Sequence, residues 1–244
     1  MMTGVIAKGN RRGFLGVVIM FEGVKFVEAP AAPSVALLAD AGIEPRRVSR
    51  SPLKRVFDIL VSLSALIFML PFLVPVAILI KLDSPGPVFF KQRRSGLNGK
   101  LFEIYKFRSM TVAENGDRVV QAKANDKRVT RVGKILRKTS LDEVPQLINI
   151  LRGEMSFVGP RPHALAHDTE FAMAVPSYAR RFQTRPGLTG LAQVRGYRGE
   201  IHCREDLEKR IEADIEYIEN WSFMTDVVTV LKTVPLMFGD KKAY

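Results

Sequence analysis

The sequence predicts a mainly α-helical protein with one small β-hairpin. Its plan is a membrane re-entrant helix-break-helix anchor, then a cytoplasmic helical domain carrying interfacial amphipathic helices. Three observations predict this. Ile59 to Ile80 is 22 residues without a charge. Bases flank that run on both sides. Beyond it, apolar residues recur mostly at helical spacing, and strand and turn signals cluster in one stretch.

Residues 1–52 read as an N-terminal extension of little periodicity, ending in EAPAAPSVALLADAGIEPRRVSRSP. A short hairpin is expected near residues 13–27. GFLGVVIM, after Arg11 and Arg12, is short, runs on into Glu22 and lacks a small-residue cleavage site, so it does not read as a signal peptide.

Residues 53–82 form the expected anchor. As a helix, the uncharged run is ~33 Å long, enough for a bilayer core of roughly 30 Å. Pro71 and Pro75 interrupt it. Each removes a backbone donor and crowds the carbonyl four residues back, so a break is expected near Pro71, leaving arms about one leaflet long. Lys54 and Arg55 precede the run, and Lys81, Lys91, Arg93 and Arg94 follow it. A spanning helix would place one basic cluster on the wrong face of the membrane, whereas a hairpin that enters and leaves the cytoplasmic leaflet satisfies both. A kinked spanning helix is the alternative.

Residues 83–244 form the expected cytoplasmic domain. PVFFKQ and LFEIYKF predict a hairpin through the turn at Gly96–Lys100. Helices are predicted at Arg131–Lys138, Ser140–Arg152, Ala164–Phe182 and Asp206–Asn220. The second places Leu141, Val144, Leu147, Ile148 and Leu151 on one face, and the last has Leu207, Ile211, Ile215 and Ile218 in register. The C-terminal NWSFMTDVVTVLKTVPLMFGDKK joins Trp221 to an apolar helix and terminal lysines, the pattern of a helix lying in the membrane interface. An ordinary helix packed on the core fits the same residues.

The formal net charge of +12 favours a polyanionic partner: nucleic acid, anionic lipid or a phosphorylated substrate. The excess is concentrated. Between Ser84 and Lys138 there are fourteen bases against four acids, whereas Glu200–Asn220 holds eight acids and reads as a solvated helix face. One cysteine, Cys203, excludes an internal disulfide, and with three scattered histidines there is no zinc site to argue for.

Within the basic stretch and its continuation, RVGKILRKTSLDEVPQL places Asp142 beside Glu143. Structure alone can explain both acids. Ser140 and Glu143 have the spacing of a capping box; alternatively Asp142 is the N-cap and Pro145 falls in the first turn. The chemical reading begins with Lys134, Arg137 and Lys138 just upstream. An aspartate among them should stay ionised with a depressed pKa, at a place where a phosphate would dock. Such an aspartate can attack phosphorus, and a neighbouring carboxylate that binds Mg²⁺ would neutralise the charge. Downstream, SFVGPRP holds Arg161 between two prolines. RPGLTGLAQVRG supplies Arg185 and glycines that would let backbone approach an anion. Neither is a Walker loop or a dinucleotide fingerprint.

Together, the blocks KRVFDILVSLSALIFMLPFLVPVAILIKLDSPGPVFFKQRRSGLNGKLFEIYKFRSM, LRKTSLDEVPQLINILRGEMSFVGPRP and TRPGLTGLAQVRGY resemble the bacterial sugar transferases, the monotopic polyprenyl-phosphate phosphoglycosyl transferases. Within that family they resemble the exopolysaccharide-initiating, ExoY-like galactosyl-phosphate transferases. The resemblance covers roughly Ser51 to Lys241. It implies transfer of a sugar-1-phosphate, galactose-1-phosphate for such members, from a UDP-sugar to undecaprenyl phosphate, with release of UMP. It places the protein at the bacterial inner membrane with its catalytic domain on the cytoplasmic face. Its implied partners are inner-membrane lipids and the downstream glycosyltransferases of the pathway, and no nucleic acid.

By the same resemblance Asp142 is the nucleophile that carries the phospho-sugar, and Glu143 helps to hold Mg²⁺. Arg137 contacts phosphate, Arg161 and Arg185 belong to the substrate site, and Asp214 is an acid near it. One departure stands out: family members break the re-entrant helix at Ser-Pro, and here the pair is Leu70-Pro71. The rival class is a non-enzymatic membrane-associated protein that binds nucleic acid or acidic lipid through residues 84–138. It leaves the arginine- and glycine-bearing loops without a task, and it matches no nucleic-acid-binding motif.

Overall fold

The computed structural model describes residues 44–111, 126–199, 201 and 203–239; the hairpin expected near residues 13–27 lies outside them. A short helix α1 (Arg47–Arg50) leads into α2 (Pro52–Asp83), and a hairpin of β1 (Phe89–Ser95) and β2 (Leu101–Phe107) follows. Next come α3 (Arg131–Lys138), a 3₁₀ turn at Leu141–Glu143, α4 (Gln146–Leu151) and β3 (Ser156–Val158). Then α5 (Leu165–Ala174), a 3₁₀ segment at Pro176–Gln183, β4 (Gly187–Thr189) and α6 (Leu191–Val194) lead to α7 (Arg204–Glu219) and α8 (Phe223–Gly239). The architecture is mainly helical, with two two-stranded sheets: antiparallel β1–β2, and parallel β3–β4 pairing Ser156 with Gly187 and Val158 with Thr189.

No non-helical segment separates two arms in the anchor: α2 is assigned as one 32-residue helix that runs through Pro71 and Pro75. A proline deletes one donor from the ladder and kinks a helix without ending it where the neighbouring turns keep their own bonds. The helix is long and apolar enough to cross a membrane, with a mean hydropathy of 2.7 in its most apolar window, of which only 6% is buried. Leu60, Ile67, Phe68, Leu70, Val74 and Leu82 are among its exposed side chains.

Both ends of α2 are nonetheless fastened to the same domain. Near its start, buried Lys54 donates to Asp226 at 2.8 Å and to the Val158 carbonyl at 3.0 Å. One turn later Asp58 accepts from the Ser156 hydroxyl (2.8 Å) and the Phe157 amide (2.9 Å). At its far end Arg108 caps the last carbonyls, donating to Ile80 (3.1 Å), Ser84 (2.6 Å) and Pro85 (2.8 Å), and Asp83 accepts from the Val132 amide at 3.0 Å. Between the ends, Ala65, Leu66, Met69 and Leu73 lie on the core formed by Phe102, Ile104, Val144, Leu147, Ile150 and Met155. Full burial of a side chain such as Ile104, Leu147 or Ile150 contributes about 1.5–3 kcal/mol, and the half-buried α2 residues add less.

Three boundaries moved. Ordered packing begins before Pro52, because Val48 is buried against Val158, Tyr217 and Ile218. The helix expected at Ala164–Phe182 splits where Pro176 forces extended backbone on Val175. The helix expected at Ser140–Arg152 is a 3₁₀ turn followed by only six helical residues. The hairpin, α3 and α7 lie where the sequence placed them, and α7 keeps Glu212, Glu216 and Glu219 outward while burying Asp214.

Candidate active site

The turn that carries Asp142 and Glu143 is set by Ser140. This serine takes left-handed backbone angles (φ 56°) and makes no capping bond with its side chain, so the expected capping box is not formed. The sharp turn instead redirects the chain leaving α3, and both carboxylates end up buried, Asp142 at 8% and Glu143 at 7% exposure. The Ser140 hydroxyl accepts from Arg198 at 2.9 Å.

The two acids meet different surroundings. Glu143 accepts from Lys106 at 2.8 Å and from both terminal nitrogens of Arg161, at 2.5 and 3.1 Å. Although burial works the other way, the Arg161 guanidinium and the Lys106 ammonium hold its pKa well below the usual carboxylate value. Among the described residues, Asp142 makes no comparable ion pair. Burial, reinforced by the Glu143 charge, pushes it up to about 6, against the pull of Lys106, Arg137 and Arg161. The expectation of a depressed aspartate pKa is therefore corrected: the cations favour the ionised form, but removal from water outweighs them, and the depressed group is Glu143.

The cations come from three parts of the chain. Lys106 and Arg94 face inward from the hairpin, Lys106 sharing strand parity with buried Phe102 and Ile104. Arg161 follows β3. Arg137 sits in the last turn of α3 with a guanidinium 3.7 Å from Met110 Sδ, and its charge acts on Asp142. Arg94 is crowded by Arg161, and burial brings its pKa down to about 10.

Asp214 does not touch the acidic pair. It holds Arg181 in a buried ion pair at 2.8 Å, and Arg181 in turn donates to the Arg161 carbonyl (2.5 Å) and the Tyr178 hydroxyl (3.0 Å). Tyr178 donates to Asp168 at 2.5 Å and lies 2.7 Å from His163 Nδ1. Asp214 thus acts behind the site, through Arg181, on the backbone that aims Arg161.

Arg185 is not brought to the pair. It donates to the carbonyls of Gly153 (2.9 Å) and Ser49 (3.1 Å), and beside it Arg55 caps Ile150 (2.6 Å) and Leu151 (2.8 Å). Both guanidiniums satisfy free carbonyls at and beyond the C-terminal end of α4. The glycines around Arg185 are also committed elsewhere. A Cβ on Gly187 would lie 2.1 Å from the Gly159 nitrogen, so these glycines let β3 and β4 approach each other and do not open the backbone to an anion.

The sequence reading missed Lys106, Arg94, Arg181, Arg198, Tyr178, Asp168 and His163. One signal was available for Lys106: it is a cation in the inward register of a strand whose other inward residues, Phe102 and Ile104, are apolar. The donor set suits Mg²⁺. No group of three or more potential metal ligands occurs among the described residues, but this ion commonly takes only one or two carboxylates and completes its shell with water and substrate phosphate. Asp142 and Glu143 are the adjacent carboxylates that would hold it, and in this structure Arg161 and Lys106 engage both oxygens of Glu143.

Comparison with known proteins adds a sequence relationship to this geometry. The chain is 51% identical over 198 residues to the UDP-glucose:undecaprenyl-phosphate glucose-1-phosphate transferase of Caulobacter vibrioides, covering 81% of this chain and 74% of the relative. It is 50% identical to the Escherichia coli protein of the same name, over 79% of this chain but only 41% of that longer relative. It is also 50% identical to the exopolysaccharide production protein PSS of Rhizobium leguminosarum bv. phaseoli, over 75% of this chain and 93% of PSS. The family model described as bacterial sugar transferase matches residues 49–240, which takes in α2, the acidic pair and its cage, and the chain belongs to that family.

Proposed function

We propose that this protein transfers a hexose-1-phosphate from a UDP-sugar to undecaprenyl phosphate, releasing UMP, as the first membrane step of exopolysaccharide assembly. The observation that carries this reading is the buried pair at the centre of the cationic cage: Glu143 neutralised by Arg161 and Lys106, and Asp142 without an ion pair among the described residues. The names of the relatives, which specify undecaprenyl phosphate and glucose-1-phosphate, support the reaction class. The family resemblance suggests galactose and these names suggest glucose, so both donors belong in the first assay.

In the proposed chemistry an Asp142 oxygen attacks the phosphorus that carries the sugar. The bond from that phosphorus to the bridging oxygen breaks, UMP leaves with that oxygen, and a phospho-sugar ester remains on Asp142. An oxygen of undecaprenyl phosphate then attacks the same phosphorus and expels the Asp142 carboxylate, giving a lipid diphosphate sugar. Arg161, Lys106, Arg137 and Arg198 would hold the phosphoryl oxygens and the charge that develops on them. Glu143 with Asp142 would hold Mg²⁺, which when bound supplies further neutralisation of phosphate charge.

The lipid acceptor requires the membrane, and α2 supplies the contact. Because both of its ends are fastened to one domain, we read it as entering and leaving the cytoplasmic leaflet. The exposed Met224, Val228, Leu231 and Val234 of α8 rest at the interface beside it, where Phe57 meets Phe223 at 5.4 Å.

The test is UMP release from UDP-glucose and UDP-galactose in membranes supplied with undecaprenyl phosphate and Mg²⁺. Activity with at least one donor, lost in Asp142→Asn, is expected. Label from donor alone should stay covalently on the wild type and not on that variant. Absence of UMP release from every UDP-sugar tried would overturn the reading.

A further inference from the structure

Three cations of α3 stand just upstream of the acidic pair in the sequence, and the site absorbs one of them. The charge of Arg137 acts on Asp142, whereas Lys134 and Lys138 are exposed. The packing of α3 explains this division. Val132 and Leu136 lie against Ile80 and Phe107. A Cβ on Gly133 would come within 2.0 Å of the Ser109 carbonyl oxygen, so this face is pressed onto backbone and the rotation of the helix is fixed.

The opposite face is therefore held outward. Arg131, Lys134, Ile135 and Lys138 follow one another three and four residues apart, which lines them along one stripe of the helix. All four are exposed, Ile135 at 63%. This stripe begins where α2 ends: the Val132 amide donates to Asp83 at 3.0 Å, which sets the first turn of α3 against the last turn of α2. In that last turn Lys81 is exposed and Leu82 is 79% exposed. Bases and large apolar side chains thus alternate across the junction of the two helices.

We propose that the outer face of α3, together with Lys81 and Leu82, docks on the anionic phospholipid headgroups of the leaflet that α2 enters. Ile135 and Leu82 reach the boundary of the acyl chains, and Arg131, Lys134 and Lys138 meet the lipid phosphates. The proposal rests on the membrane seating of α2 given above and continues that contact beyond the helix. The apolar side chains favour lipid over nucleic acid, because a phosphate backbone would take the bases but would give Ile135 and Leu82 no apolar layer. Each Lys or Arg beside an anionic leaflet strengthens association about fivefold, and salt weakens the effect. Since α3 also carries Arg137 toward Asp142, the leaflet and the acidic pair would share one helix.

The experiment places the full chain, in a Cys203→Ser background, in nanodiscs of phosphatidylcholine with or without phosphatidylglycerol. An environment-sensitive dye attached at Ile135→Cys reads the α3 surface, and the same dye at Leu60→Cys reads α2. Lipids spin-labelled near the headgroup act as quenchers. At position 135 quenching should be about twofold or more stronger with phosphatidylglycerol. The gain should fade in high salt and in the triple variant Arg131→Gln, Lys134→Gln, Lys138→Gln. Water-like emission at position 135 in both discs overturns the proposal, by making this an ordinary solvated face. Equal quenching in both discs also overturns it, because contact through the apolar side chains alone requires no anion. A response to an added DNA oligonucleotide in place of one to phosphatidylglycerol would overturn it in favour of nucleic acid. If the triple variant fails to fold, the salt dependence with the native bases decides. Failure of the α2 reading is a different outcome: the dye at position 60 then also reports water.

Discussion

Arg161 grips both oxygens of Glu143, at 2.5 and 3.1 Å, although 18 residues separate them. Its own carbonyl accepts from Arg181 at 2.5 Å, and Arg181 is held by Asp214 at 2.8 Å. A line of support therefore runs from the middle of α7 to the acidic pair, through two arginines and one peptide bond.

Arg161→Lys tests the grip. A lysine keeps the charge but cannot hold two carboxylate oxygens in one plane. Activity should fall on the order of 10²-fold, the scale of losing one transition-state donor. Unchanged circular dichroism with this fall in kcat would assign it to the site, and retained activity would leave Arg161 a structural partner of Glu143.

Removing the far end of the line acts through folding. Asp214→Ala leaves Arg181 buried and uncompensated, which costs about 3–5 kcal/mol. A melting experiment should show the loss, and the double variant Asp214→Leu with Arg181→Met should regain most of it. An unchanged melting temperature in Asp214→Ala would contradict the support role.

Asp142→Asn should stabilise the protein above pH 6. A carboxyl raised from 3.8 to about 6 on folding is costlier to ionise in the folded chain than in the unfolded one, by on the order of 3 kcal/mol. The sign follows from the raised value: the penalty is absent below about pH 4, grows between pH 4 and 6, and is complete above. The variant's gain in melting temperature should be present at pH 7.5 and vanish near pH 4. An equal gain at both pH values would rule out this cause.

In the proposed chemistry the same ionisation governs activity. A nucleophilic carboxylate must be charged, so kcat/KM should fall tenfold per pH unit below about pH 6, with the midpoint near the Asp142 value. An acid limb of kcat/KM centred near pH 4 would show that the free enzyme, with its metal bound, holds the aspartate in its ordinary range.

The topology of α2 has its own test. Leu53 and Leu82 are 53% and 79% exposed at opposite ends of the helix. In a Cys203→Ser background, Leu53→Cys and Leu82→Cys should both react with a membrane-impermeant maleimide in inside-out vesicles, and neither in intact spheroplasts. Labelling from opposite sides would make α2 a spanning helix.

Much of the fold was legible because helices and hairpins are local. The turn at Gly96–Lys100 and the apolar spacing of Leu207, Ile211, Ile215 and Ile218 each lie within one stretch of chain, and the structure keeps those elements. Legibility failed where a local rule had two outcomes. Ser140 and Glu143 have capping-box spacing, yet the serine turns left-handed and the glutamate bonds two distant cations. Arg185 lies in a loop that reads like a phosphate cradle, but backbone carbonyls use its guanidinium.

By itself the sequence determined the apolar anchor, most of the helices, the hairpin, the adjacent acids and the family blocks that surround them. Those are properties of composition and short-range periodicity. Only the tertiary structure decided that Lys106 and Arg161 converge on Glu143, that Arg185 stands apart, and that both ends of α2 belong to one domain. It also set the two carboxylates in opposite senses, raising Asp142 and depressing Glu143. The reason is physical: a carboxyl's charge state depends on the water it loses and the charges it meets, and both are fixed only when distant segments pack together.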